Sequence, residues 1–99
     1  MREKDLERRL RDQLRAAGCL ALKFVSPGYT GVPDRIVLIP GGRIVFVEMK
    51  ASGEKERPRQ SYVQAIIRRY GFTVFSGIDS TEKIGEVVRY CREVMSERV

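Results

Sequence analysis

Three charged side chains sit where charge is least expected, at the ends of two apolar runs. Asp34 opens the first run, and Glu48 and Lys50 close the second, Arg43-Ile-Val-Phe-Val-Glu-Met-Lys50. The Gly41-Gly42 pair between them reads as the turn of a β-hairpin. Folding the chain back at that turn brings Asp34 beside Glu48 and Lys50. Side chains alternate along a strand, so Glu48 and Lys50 share a face with Ile44 and Phe46, while Val45, Val47 and Met49 take the other. Two carboxylates held close repel each other, and a hard divalent cation relieves that repulsion while gaining oxygen ligands. Mg²⁺ takes one or two carboxylates and keeps several waters, which suits Asp34 and Glu48, with the Met49 backbone carbonyl as a possible third oxygen. Water activated in this way attacks phosphorus, and Lys50 can orient it or offset charge on the phosphoryl oxygens. The bland alternative is a surface salt bridge at a strand end; Asp34 on the neighbouring strand weighs against it.

Composition narrows the chemistry further. The chain has 99 residues, 42% hydrophobic and 32% charged, which suits one globular domain spanning 1–99. It contains no histidine, which removes Ser-His-Asp and Cys-His catalysis and His-containing zinc sites. The two cysteines, Cys19 and Cys91, lack metal-ligand spacing and read as reduced and structural. No apolar run reaches the roughly 20 residues of a membrane span. The charged start, Met1-Arg-Glu-Lys-Asp5, has no secretory apolar region, so a cytoplasmic location is expected. A net charge of +6 suits a polyanionic partner, although solubility alone would also explain it.

The elements that must position the charged cluster follow from periodicity. Leu6, Leu10, Leu14 and Ala17 form one stripe of a helix over 3–17, closed by Gly18. Leu20–Val25 reads as a strand, and 26–33, with two prolines and two glycines, as a loop. The hairpin 34–50 comes next, then a polar loop, then a helix over 58–70 with Tyr62, Ile66, Ile67 and Tyr70 as its stripe. Gly71 ends that helix, and Phe72–Phe75 reads as a short strand. A last helix starts after Ser80, an N-cap, and buries Ile84, Val87, Val88, Cys91, Val94 and Met95. The order α-β-β-β-α-β-α predicts an α/β fold: a mixed four-stranded sheet flanked by helices, its last strand returned parallel to 43–50 by a helical crossover.

Val32-Pro-Asp-Arg35 followed by Val47-Glu-Met-Lys50 resembles the PD-(D/E)xK nuclease signature. The fuller string Leu22-Lys-Phe-Val-Ser-Pro-Gly-Tyr-Thr-Gly-Val-Pro-Asp-Arg35 resembles the stand-alone virus-type replication-repair nuclease (VRR-NUC) domain of phages and bacteria. That resemblance extends from about Glu3 to the last helix. It implies the restriction-endonuclease-like fold and a DNA endonuclease using Mg²⁺, with Mn²⁺ able to substitute. It also implies a homodimer acting on branched DNA such as four-way (Holliday) junctions in replication, repair or recombination. If the chain is phage-encoded, the host cytoplasm is its place of work.

By matched position, the resemblance makes Asp34 and Glu48 metal ligands and Lys50 the catalytic lysine. It adds a glutamate on the first helix. Glu7 is preferred because Glu7-x-x-Leu10 with Gly18 beyond is similar to the related archaeal Holliday-junction resolvases, whereas helical phase favours Glu3, one turn earlier. A glutamine of the second helix maps onto Gln60, within reach of metal-bound water or phosphate. Ser26, Tyr29 and Thr30 lie on the loop before Asp34, a natural place to hold a phosphate. Arg35 should point away from the carboxylates, in a structural or DNA-backbone role. Lys23, Lys55, Arg57 and Arg59, with Arg68 and Arg69, offer positive charge to a phosphate backbone. Tyr62 and Tyr70 read as core or dimer contacts. Two rivals stay open: a sequence-specific restriction-type nuclease, which would need base-reading insertions, and a catalytically silent DNA-binding or scaffolding module of the same fold.

Overall fold

The structure, a computed structural model, describes residues 2–97. Its elements follow the expected order: α1 (Glu3–Ala16), β1 (Leu20–Lys23), β2 (Arg35–Ile39), β3 (Arg43–Met49), α2 (Pro58–Arg69), β4 (Thr73–Ile78) and α3 (Thr81–Ser96). The four strands lie in the order β1-β2-β3-β4. The first three are antiparallel neighbours, and α2 carries the chain over so that β4 runs parallel to β3.

Helices cover both faces, but unequally. Leu6, Leu10 and Leu14 of α1 are fully buried with Ile84, Val87, Val88, Cys91 and Val94 of α3. They pack on Val37, Ile39, Val45, Val47, Met49 and Ile78, the residues of one sheet face. Ser80 caps α3 as its spacing suggests, its Oγ accepting from the Lys83 N–H at 3.2 Å. Cys19 and Cys91 are free and buried in this core. Burial raises both thiols, Cys91 to about 12.

Helix α2 alone serves the other face, and its orientation differs from the expected one. Tyr62 and Tyr70, assigned from spacing to a core or dimer contact, are 57% and 79% exposed and add nothing to the core. Val63 and Gln64 are buried instead, while Ile66 and Ile67 are half-buried. Positions 60, 63, 64 and 67 form one helical face, and turning that face to the sheet sets Gln60 over the end of β3. The β1–β2 end of the same sheet face is left open, with Leu20, Leu22 and Leu38 each about 40% exposed.

Two backbone details shape the end of β3. Strand β4 continues past Phe75 because an extra residue enters it: Val47 pairs with Phe75, yet Met49 pairs with Ile78. This bulge lies opposite Glu48 and contains Gly77 at φ +66°, a conformation suited to glycine. In the loop before Asp34, Gly31 has φ +91°, and a Cβ there would sit 2.9 Å from Arg59 Cγ and 3.0 Å from Val63. That backbone therefore rests directly on α2. No helix among the described residues is long and apolar enough to cross a membrane.

Candidate active site

The β2–β3 register sets Arg35 opposite Val47, so Asp34 and Glu48 meet at the strand ends. They hold each other through the backbone. Asp34 N–H donates to Glu48 Oε1 at 3.1 Å, and Met49 N–H donates to Asp34 Oδ1 at 3.2 Å. Each carboxylate thus has one oxygen tied down by a backbone N–H, which fixes its orientation.

Gln60 spans the second half of the cluster. Its Nε2 donates to Glu48 Oε2 at 3.1 Å, and its Oε1 accepts from Lys50 Nζ at 2.8 Å. The same Oε1 accepts from the Arg57 N–H at 3.0 Å, closing the first turn of α2. Lys50 Nζ also stands 3.5 Å from Glu48 Oε2. Glu48 and Lys50 are buried at 5% and 9% exposure, so these contacts act with little screening by water. The sequence brought Gln60 here only through the family resemblance; the structure gives it two hydrogen bonds within the cluster and a third to the Arg57 N–H.

Burial and repulsion by a neighbouring carboxylate act on both groups. Burial raises the Asp34 carboxyl above its ordinary range, with Glu7 adding to the rise and the Met49 N–H and Arg35 opposing it. Burial likewise raises Glu48, followed by repulsion from Asp34, against the pull of Lys50. Among the described residues no three His, Cys, Asp or Glu side chains form a ready-made metal cage. The donor set is a pair of carboxylates, which fits a hard divalent ion that retains water and not one needing a full protein cage.

Both candidate glutamates of α1 are near. Glu7 forms an ion pair through Oε1 with Arg35 Nη2, and Arg35 Nη1 donates to the Asp34 carbonyl at 3.3 Å. Arg35 is therefore a buried strut between α1 and the Asp34 backbone, the structural half of its expected role, and not an open DNA-backbone contact. Glu3 is raised by burial first, then by Glu7, Glu54 and Asp34, with Lys50 opposing. Glu3 thus feels the charge of Asp34. Glu54, which accepts from the Ala51 N–H at 3.0 Å, was missed by sequence reading because its loop lacks periodicity. Gln64, one turn beyond Gln60 and 1% exposed, was missed too; its Nε2 has no hydrogen-bond partner among the described residues.

The softer candidates divide. Arg59 is spent on the fold: its Nε donates to the Thr30 carbonyl at 3.1 Å, and its guanidinium lies 4.8 Å from the Tyr29 ring and 5.5 Å from that of Tyr62. Tyr29 and Thr30 thereby belong to a clip fastening the loop to α2. The Ser26 carbonyl accepts from the Tyr29 N–H at 3.1 Å, and its side chain borders an apolar cavity with Phe24, Phe46 and Ile67. Arg68 Nη2 donates to the Val74 carbonyl at 2.8 Å. Lys23, Lys55, Arg57 and Arg69 remain exposed.

A mixed sheet in this helical order, with Asp34, Glu48 and Lys50 gathered at one end, defines the restriction-endonuclease-like class. No family model matches the chain. A solved structure of a VRR_NUC domain superposes with a TM-score of 0.80 and 28% identity, covering 89% of this chain and 95% of that one. A curated protein named "Putative nuclease p44", from Acyrthosiphon pisum secondary endosymbiont phage 1, is 53% identical over 60 residues. That match takes in 61% of this chain and 64% of the relative's length. The chain is thus similar in fold to a VRR_NUC domain and in sequence to a phage protein named a nuclease.

Proposed function

We propose that the chain is a Mg²⁺-dependent DNA endonuclease selective for DNA structure, acting on branched duplexes such as four-way junctions. The observation that carries this reading is the cross-bonded Asp34–Glu48 pair with Gln60 linking Glu48 to Lys50. The nuclease name of the phage relative supports it.

Asp34 and Glu48 would hold the cation, Mg²⁺ or Mn²⁺, with the Met49 carbonyl as a third oxygen. Glu7, steadied by Arg35, would reach it through water, and Glu3 is the reserve for that role. When bound, the cation lowers the pKa of water and neutralises phosphoryl charge. Lys50 keeps its ammonium aimed into the cluster through Gln60 and offsets the negative charge that develops on the phosphoryl oxygens. Gln60 orients Lys50 and Glu48 together, so the cation ligand and the ammonium keep a fixed separation. Hydrolysis forms one bond from water oxygen to phosphorus and breaks one strand P–O bond, whose oxygen leaves with a proton.

Shape selectivity follows from a small chain whose charged residues meet backbone phosphates and not base edges. A two-fold dimer would present two sites to a branched duplex, and the open sheet face around Leu20, Leu22 and Leu38 supports such pairing.

The test is incubation of labelled linear, flap and four-way junction DNA in Mg²⁺, Mn²⁺ or EDTA. The expected result is cutting of branched substrates in metal only, abolished in Glu48→Ala and Asp34→Ala. Cutting that persists in EDTA or in those variants removes the metal mechanism. Binding without cutting in either metal returns the chain to the scaffold reading.

A further inference from the structure

On the α1 side of the sheet, next to Arg35, runs a groove of about 350 Å³ whose basic walls the proposed chemistry does not use, Glu7 being its one link to that chemistry. Its walls carry Lys4, Arg8 and Arg11 from α1 and Lys23 from β1, with the Glu7–Arg35 pair between them. Resting on the nuclease reading above, we propose that this groove is a phosphate-binding track for the DNA backbone, engaging the substrate on the flank opposite Lys55 and Arg57.

Four observations support the track. First, the charge in it is uncompensated. Glu7, the one carboxylate lining the groove among the described residues, is matched by Arg35. Among the described residues Lys4, Arg8 and Lys23 have no carboxylate within salt-bridge distance, and Arg11 touches only its exposed neighbour Asp12, at 3.4 Å.

Second, the cations are aligned. Lys4, Arg8 and Arg11 are spaced four and three apart, so they stack along one stripe of α1 and repel each other slightly. At 1.5 Å rise per residue that stripe is about 10 Å long, enough for two or three successive phosphates at about 3.4 Å of duplex axis each.

Third, the track leads to the chemistry. Lys23 pairs with Arg35 across the β1–β2 ladder, the Phe24 N–H donates to the Asp34 carbonyl at 2.9 Å, and Arg35 follows Asp34 in the chain. A backbone lying in the groove therefore ends beside the Asp34 backbone, at the strand end where Asp34 and Glu48 meet. Fourth, the groove is open. Lys4, Arg8, Arg11 and Lys23 are all exposed, and a cation that keeps its water until a phosphate arrives gains by releasing the counterions of DNA.

The experiment measures binding of a fluorescein-labelled linear duplex by anisotropy in EDTA, across a KCl series. The groove variant is Lys4→Ala/Arg8→Ala/Lys23→Ala. The control, Arg9→Ala/Arg15→Ala/Arg89→Ala, removes the same charge from exposed positions outside the groove. Thermal melts of both check folding.

The groove variant should lower the slope of log K against log[salt] by about 2 to 3 and weaken binding at least about tenfold. The control should change the slope by less than about 1. Equal losses in both variants would overturn the track, because net charge alone would then explain binding. Slopes that separate while wild-type protein cuts no DNA would keep the track and remove the nuclease reading. Metal-dependent cutting with identical slopes would do the reverse.

Discussion

Ionising Asp34 costs the fold stability, and the sign of that cost is testable. Burial raises its carboxyl, so the folded state binds the proton more tightly than the unfolded chain does. Stability from this group is present at pH below the ordinary carboxylate range and is lost as pH rises through the raised value. Asp34→Asn keeps an acceptor for the Met49 N–H and removes the charge. It should melt a few degrees higher than wild type at neutral pH in EDTA, with the gap closing in acid; a calorimetric series over pH measures this. Gln60 makes a second prediction. It touches Glu48, Lys50 and the start of α2, so Gln60→Ala should lower cleavage by about 10- to 100-fold while the protein stays folded. A Gln60→Glu variant should not rescue it, because the carboxylate cannot donate to Glu48. Rates and melts on both variants decide.

At the level of elements, the site depends on a loop that lies against a helix. The 26–33 segment reaches Asp34 with Pro33 buried, and Arg59 clips its backbone and Tyr29 to α2. Gly31 is the point of closest approach, at positive φ and with no room for a Cβ. Gly31→Ala should destabilise the fold by more than about 1 kcal/mol, since strain and a forced shift of α2 combine. It should also reduce cleavage beyond what the unfolded fraction explains, because Gln60 rides on the displaced helix. Denaturant melts alongside rates at a fully folded temperature separate the two effects. Much of this architecture was legible from the chain: the leucine stripe of α1, the Gly-Gly hairpin and the Ser80 cap are local signals repeated at fixed spacing. The rotation of α2 was not legible. Tyr62 and Tyr70 fit an apolar stripe as well as Val63 does, and only the polar end of β3 under Gln60 selects between the two faces.

For the whole molecule, the two sheet faces differ in completion. One is sealed by α1 and α3, while the other shows Leu20, Leu22 and Leu38 beyond the edge of α2. If that open face joins two copies, Leu22→Glu/Leu38→Glu should halve the mass found by light scattering without lowering the melting temperature of the domain. Wild-type protein that is already monomeric at high concentration would remove the dimer. The charge of +6 adds to this picture by distribution and not by amount. Arg59 and Arg68 are tied to backbone carbonyls and Arg35 to Glu7, whereas Lys4, Arg8 and Lys23 line one exposed groove.

The gathering of Asp34, Glu48 and Lys50 was settled by sequence alone, because a tight turn between two apolar runs leaves a hairpin only one way to pair its ends. The helix and strand order followed from period, and the absence of histidine by itself restricts the chemistry. Tertiary structure decided which neighbours those three groups have. Gln60 bonds to Glu48 and Lys50, Arg35 is held by Glu7 on another element, and Arg59 turned from a free cation into a clasp. Such contacts join residues far apart in the chain, and they depend on how helices are rotated against the sheet. No local period encodes that rotation, since it is fixed by which polar groups must be satisfied when the faces close.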